Sequence, residues 1–178
     1  MTEAVAALGT VDIVLVAHGT LPDQGQSEVD AAVLKATLDD NFTSAALIAQ
    51  VAAQQLAVQA RGTLAIISSV AGDRGRKSNY SYGAAKAGLV QLTKTLAIAW
   101  ADDRIRVNAI VAGLIESNMT ATMLTIDAMT APMIARTPMA RVGTPKDIAG
   151  AVLFLSSPAA GFVTGQALPV DGGYSIRG

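Results

Sequence analysis

The sequence predicts an α/β protein built on a parallel sheet of about four strands. Three observations predict it. Val11–Ala17 and Leu64–Ile67 are short, mostly apolar runs, the pattern of strands buried on both faces, and Ile105–Val111 reads as a third strand. Longer stretches between them carry apolar residues at helical spacing. A last short strand, Leu168–Val170, follows a final helical stretch. Strands alternating with helices imply a single layered domain, residues 1–178, with helices on both faces and right-handed crossovers.

The elements follow in order. Met1–Leu8 reads as helical turns stopped by Gly9, a residue suited to a helix C-terminus. The strand Val11–Ala17 ends in His18-Gly19-Thr20, and Pro22 and Gly25 mark a loop. Ser27–Gln59 reads as one long helix, capped by Ser27 with Asp30 three residues on. Val29, Val33, Leu38, Phe42, Ile48, Val51 and Leu56 form its expected apolar face. A second helix carries Leu89, Leu92 and Leu96, and Asp102-Asp103-Arg104 turns into the third strand. Glu116–Arg141 holds every methionine but the first and is broken by Pro132 and Pro138. It reads either as one or two short helices over the strand ends, a substrate lid, or as an ordinary amphipathic helix on the core. Thr144 and Pro145 begin a last helix, as N-cap and first helical residue, with Ile148, Val152, Leu153 and Leu155 as its apolar set.

Composition excludes several function classes. The chain is 51% hydrophobic and 15% charged, enough to build a core. Its net charge of −1 offers no basic surplus for nucleic acid or an anionic membrane. There are no cysteines, hence no disulfides and no thiolate metal site; no metal is expected. That fits a reducing cytoplasm. Met1–Gly9 lacks the basic start of a signal peptide, and no apolar run reaches membrane-spanning length.

Chemistry concentrates between Ser69 and Lys86. Tyr82 and Lys86 stand four apart at the start of a helix, so they share a face. An ammonium beside a phenol favours the phenolate and lowers its pKa, which makes Tyr82 a candidate general acid or base. Ser69 ends the preceding strand, where parallel sheets present residues to a ligand crevice. Tyr-x-x-x-Lys by itself also arises by chance as a surface Tyr and a solvated Lys.

Ser69 thirteen residues before Tyr82, with Lys86 four after, resembles the short-chain dehydrogenase/reductase family. The resemblance covers nearly the whole chain from Val11 and implies a Rossmann-like, doubly wound parallel sheet. It implies Asn41, Ser69, Tyr82 and Lys86 as the catalytic set, Asn41 holding a water near the lysine. A polar surface Asn is the alternative for Asn41. Ala112-Gly113-Leu114-Ile115-Glu116-Ser117 looks like the family's nicotinamide loop. The resemblance assigns cofactor contacts to Gly19, Tyr82, Lys86, Gly113, Ile115 and Ser117, and substrate contacts to Ser69, Met119 and Met123. Thr164-Gly165-Gln166 and Val170-Asp171-Gly172-Gly173 match the family's C-terminal ending. Within the family, Asp73–Tyr80 and Ala17–Thr20 resemble the reductase subunit of decaprenylphosphoryl-ribose 2-epimerase. The C-terminal half is closer to 3-oxoacyl and sugar-alcohol reductases.

Departures matter too. Val16-Ala17-His18-Gly19 stands where the family has Asn-Asn-Ala-Gly, and Ala112 and Ser117 replace a proline and a threonine. No Gly-x-Gly triplet occurs, and measured against the family the resemblance implies that these residues begin after its pyrophosphate loop and first three strands. The expected function is therefore hydride transfer between a secondary alcohol or ketone and NAD or NADP, with weak cofactor binding. A catalytically inactive remnant or engineered fragment, kept as an oligomerising scaffold, is the alternative. The resemblance also implies a homodimer through Ser27–Gln59 and Ser81–Ala101, or a homotetramer that adds Asp171–Gly178.

Overall fold

A computed structural model describes residues 1–22, 30–75 and 77–177. Four strands lie side by side in chain order and every pairing is parallel. They are β1 (Ile13–Val16), β2 (Gly62–Ser69), β3 (Ile105–Ala112) and β4 (Ala167–Val170). The register places Val16 opposite Ile66, Ile66 opposite Ala109 and Ala109 opposite Ala167. All C-terminal strand ends therefore open at one edge, where open α/β sheets bind ligands. In the two central strands Leu64, Ala65, Ile66, Val107, Ala109 and Ile110 are fully buried, as strands covered by helices on both faces require. β1 is an edge strand, and its Ile13 and Leu15 are 52% and 44% exposed. Pro169 sits in the other edge strand, where a missing N–H is tolerated.

The helix α1 (Thr2–Leu8) stops at Gly9, at φ +75°. The long helix expected from Ser27 to Gln59 is divided. Gly25, Ser27 and Val29 lie outside the described residues. The helix α2 (Ala31–Leu38) is capped by Asp30, whose carboxylate accepts the N–H groups of Ala32 and Val33. A π-helical turn, Asp39–Thr43, follows, then α3 (Ser44–Val58). The wider turn rotates what comes after it. Ala45, Ala49, Ala52, Ala53 and Leu56 face the sheet, while Ile48 and Val51, expected inside, are 45% and 48% exposed. Beside it, α4 (Tyr80–Ala99) contributes Leu89, Leu96 and Ala97 to the core with Leu64, Ile66, Ile105 and Val107. Burying each large side chain here stabilises the fold by about 1.5–3 kcal/mol.

The opposite face carries α7 (Pro145–Ser156). Arg106 alternates with core-facing Ile105 and Val107, so its side chain crosses to this face. It donates to the Leu155 carbonyl (2.6 Å), to Thr63 Oγ1 (2.9 Å) and to the Ser157 carbonyl (3.3 Å). The chain advances in one direction from β2 to β3 to β4, returning first through α4 and then through α7 on the other face. These two crossovers therefore have opposite hands, a departure from the uniformly right-handed expectation. The long passage over the strand ends before α7 relaxes the packing constraint behind that rule.

That passage contains α5 (Ala121–Leu124) and α6 (Asp127–Arg136). Pro132 does not break it: it lies inside α6 on an exposed face, where water can serve the carbonyl it leaves unpaired. Thr144 caps α7 as expected, donating through its N–H and Oγ1 to Asp147, but Leu153 is 71% exposed and Leu155 alone of the expected set is fully buried. No helix among the described residues is long and apolar enough to cross a membrane.

Candidate active site

Tyr82 and Lys86 occupy the first turns of α4, which starts from Asn79 in the left-handed region, φ 58°. Two glycines let the Val70–Gly72 turn press against this helix. A Cβ on Gly72 would lie 2.5 Å from the Ala87 nitrogen, and one on Gly83 2.8 Å from the Ala71 carbonyl oxygen. Ser68 Oγ adds a buried hydrogen bond to the Lys86 carbonyl, 2.8 Å. Ser69, the last residue of β2, accepts from the Ala71 N–H at 3.2 Å, which leaves its own O–H to donate elsewhere.

Lys86 is 3% exposed. Its Nζ donates to the Ile67 carbonyl at 3.2 Å and lies 5.6 Å from the centroid of the Tyr82 ring. Burial pushes its pKa down to about 8. Asn41 is fully buried in the π-helical turn, so it is not a surface Asn. Its Nδ2 donates to the Thr37 carbonyl (3.0 Å) and its Oδ1 accepts the Thr20 N–H (3.0 Å). Single π turns recur at functional sites. Here the turn aims Asn41 at Gly19, which also approaches Lys86.

The loop after β3 is set by two close approaches. A Cβ on Gly113 would fall 2.7 Å from Asp171 Cα. Ile115 bridges Gly143 in parallel: Leu114 accepts from Gly143, and Gly143 accepts from Glu116. The backbone N–H and C=O of Ile115 consequently face the other way, and Thr120 Oγ1 donates to that carbonyl at 2.7 Å.

These parts meet at a cavity of about 480 Å³ on the strand ends. Gly19, Ser69, Tyr82, Lys86, Gly113, Ile115, Ser117, Met119 and Met123 all line it. Asn41 alone of the expected site residues does not, acting one layer behind Gly19.

A family profile described as enoyl-(acyl carrier protein) reductase matches residues 1–175. The chain belongs to the short-chain dehydrogenase/reductase family. It is 38% identical over 141 residues to a tropinone reductase homolog of Arabidopsis thaliana, covering 79% of this chain and 53% of that protein. It is 35% identical over 176 residues to a cis-4-hydroxycyclohexanecarboxylate dehydrogenase of Sinomonas cyclohexanicum, covering 98% of this chain and 70% of the relative. A solved gluconate 5-dehydrogenase of Burkholderia cenocepacia, in complex with NADP and tartrate, superposes with a TM-score of 0.92 at 28% identity. That match covers 98% of this chain and 69% of the other. The chain thus spans about half of the first of these relatives and some seven-tenths of the other two.

The nicotinamide half of the family's cofactor site fits what is present. Ile115 lines the cavity, and its backbone N–H, with a carbonyl that already accepts from Thr120 but keeps a second lone pair, is a donor and acceptor pair suited to a carboxamide. Leu21, Arg74, Met133, Arg136, Ile148 and Tyr174 also line the cavity and were not legible as site residues. His18 lines it too, its ring hydrogen-bonded to Ser44 Oγ at 2.7 Å.

Proposed function

We propose that this chain carries the proton-transfer machinery of an NAD- or NADP-dependent oxidoreductase interconverting a secondary alcohol and a ketone. The observation that carries this reading is the convergence of Ser69, Tyr82 and Lys86 on one cavity. Tyr82 gives the proton to, or takes it from, the substrate oxygen. Lys86 is mostly charged at neutral pH, since about 8 lies above 7, and its cation lowers the phenol's pKa. Ser69, already accepting from Ala71, donates its hydroxyl hydrogen to the same oxygen. Asn41 positions Gly19, Thr20 and the relay water beside Lys86. When bound, the nicotinamide would supply or accept the hydride; Gly19, Gly113 and Ile115 would hold the nicotinamide end, Ser117 would meet phosphate, and Tyr82 and Lys86 would lie on the ribose side. Residues 116–141 form a lid whose Met119 and Met123 give the substrate an adaptable apolar wall.

The named relatives support a small alcohol or ketone as substrate, two of them acting on hydroxy acids by name. These 178 residues contain no Gly-x-Gly, so pyrophosphate contacts each worth about 1.5–3 kcal/mol are absent and cofactor binding by this chain is weak. Fluorescence titration with NADH and NADPH measures that binding, and Tyr82→Phe tests the chemistry. The substitution should lower turnover by about 100-fold or more. Turnover retained in Tyr82→Phe would overturn the assignment.

A further inference from the structure

We propose that the substrate bears a carboxylate, and that Arg136 receives it where α6 meets the C-terminal tail. This deepens the oxidoreductase reading and rests on it for the reacting alcohol or ketone. Three cations line the cavity, Arg74, Lys86 and Arg136, and no Asp or Glu among the described residues does. The chain as a whole has a net charge of −1, so this excess is local. The ion pairs among the described residues, Lys35 with Asp39, Arg61 with Asp12 and Arg141 with Asp147, involve none of the three.

The three cations differ in what they are committed to. Lys86 serves the Ile67 carbonyl and Tyr82. Arg74 clasps the tail: its Nη1 donates to the carbonyls of Tyr174 (3.0 Å), Ser175 (3.1 Å) and Arg177 (2.7 Å). Arg177 pins the same tail to α6 through the Ala135 carbonyl, 2.6 Å. The tail so held presents Tyr174, and the Arg136 guanidinium sits 5.2 Å from the centroid of its ring. An aromatic face steadies a guanidinium without using its N–H edge. That edge is the part that binds a carboxylate bidentately. Among the described residues the tail's side-chain carboxylate, Asp171, is taken by the N–H groups of Gly173 (2.9 Å) and Ser175 (2.7 Å). Arg136 is therefore the receptor, Tyr174 its platform, and Arg74 a positioning residue that holds the platform.

The test compares 3-oxobutanoate, 5-oxohexanoate and 7-oxooctanoate with their methyl esters, which keep the ketone and lose the charge. The expected result is a kcat/KM at least tenfold higher for one acid than for its ester, a ratio that falls to near one in Arg136→Gln and partly recovers in Arg136→Lys. Calorimetric binding of the three acids is measured in parallel and needs no turnover. An acid bound by the wild type and lost in Arg136→Gln supports the carboxylate site even where no ketone is reduced, in which case the oxidoreductase reading is what fails. Equal use of acid and ester, an acid preference that survives Arg136→Gln, or no binding of any acid overturns the proposal. So does a loss of NADH affinity in Arg136→Gln with the acid-to-ester ratio intact, since the cation would then serve the cofactor's phosphates.

Discussion

A Cβ built on Gly19 would lie 2.5 Å from Oδ1 of Asn41 and 3.3 Å from Nζ of Lys86. The glycine is there because a buried amide and a buried ammonium close on its Cα from α4 and the π-helical turn. Gly19→Ala should push Asn41 off the Thr20 N–H and destabilise the fold by about 1–3 kcal/mol, the range for overpacking. Adding Asn41→Ala should return part of that loss, because residues in contact are coupled. Urea unfolding of the two single variants and the double variant measures it. Strictly additive losses would mean the two side chains do not compete for the space.

Lys86 makes stability depend on pH in an unusual direction. Its folded pKa, about 8, lies below its ordinary value of 10.5 because burial disfavours the charge. Between these values the unfolded chain holds a proton that the folded chain has released. Stability contributed by this group therefore rises as pH climbs from about 8 to 10.5, and the penalty is fully present below 8. Lys86→Met removes the titrating group. Urea midpoints at pH 7 and pH 10 should show a smaller gain, or a larger loss, for Lys86→Met than for the wild type. Parallel profiles would sink the argument.

β1 and the middle of β2 were legible because short unbroken apolar runs have few other homes. Ser69, Tyr82 and Lys86 were legible because their spacing is local and joins a strand end to a helix start. Asn41 was legible as a poor helix former in a helical stretch. The π turn around it was not: Asp39–Thr43 contains no glycine or proline, and its effect is a rotation that exchanges Ile48 and Val51 for small alanines. The far wall of the cavity was also hidden. Arg74 and Tyr174 meet from 100 positions apart, and nothing local in either segment announces the other. Leu153 shows a further limit, since an apolar residue facing out reads in sequence like one facing in.

Arg106 is the main polar tie between the sheet and α7. Burial lowers its pKa, yet its planar fork satisfies Thr63 Oγ1 and two helix-end carbonyls together. A lysine has one point of attachment and cannot span them. Arg106→Lys should cost about 1–2 kcal/mol, and Arg106→Met more, because it leaves those acceptors unpaired. Thermal and urea unfolding would show the order wild type, Lys, Met. A Lys variant as stable as the wild type would mean water replaces the fork without loss.

The homodimer inferred from the family needs an apolar face that the single chain leaves uncovered. Leu96 and Ala97 do not supply it: both are 4% exposed and sit in the chain's own core, so a charge at either would unfold the protein rather than separate subunits. The exposed large aliphatic residues of these two helices are Leu47, Ile48, Val51 and Val58 on α3 and Ile98 on α4. Leu47, Ile48 and Val51 form one stripe, at positions i, i+1 and i+4 of the helix. A contiguous apolar stripe of this kind marks an association surface. Val51→Asp, alone or with Ile48→Asp, should convert the protein to a monomer by sedimentation velocity while its far-UV circular dichroism stays unchanged. Leu96→Asp should instead lose the helical spectrum. An unchanged sedimentation coefficient in the folded Val51→Asp, Ile48→Asp double variant would remove α3 from the interface and leave the edge strand β1, with its exposed Ile13 and Leu15, as the surface to probe next.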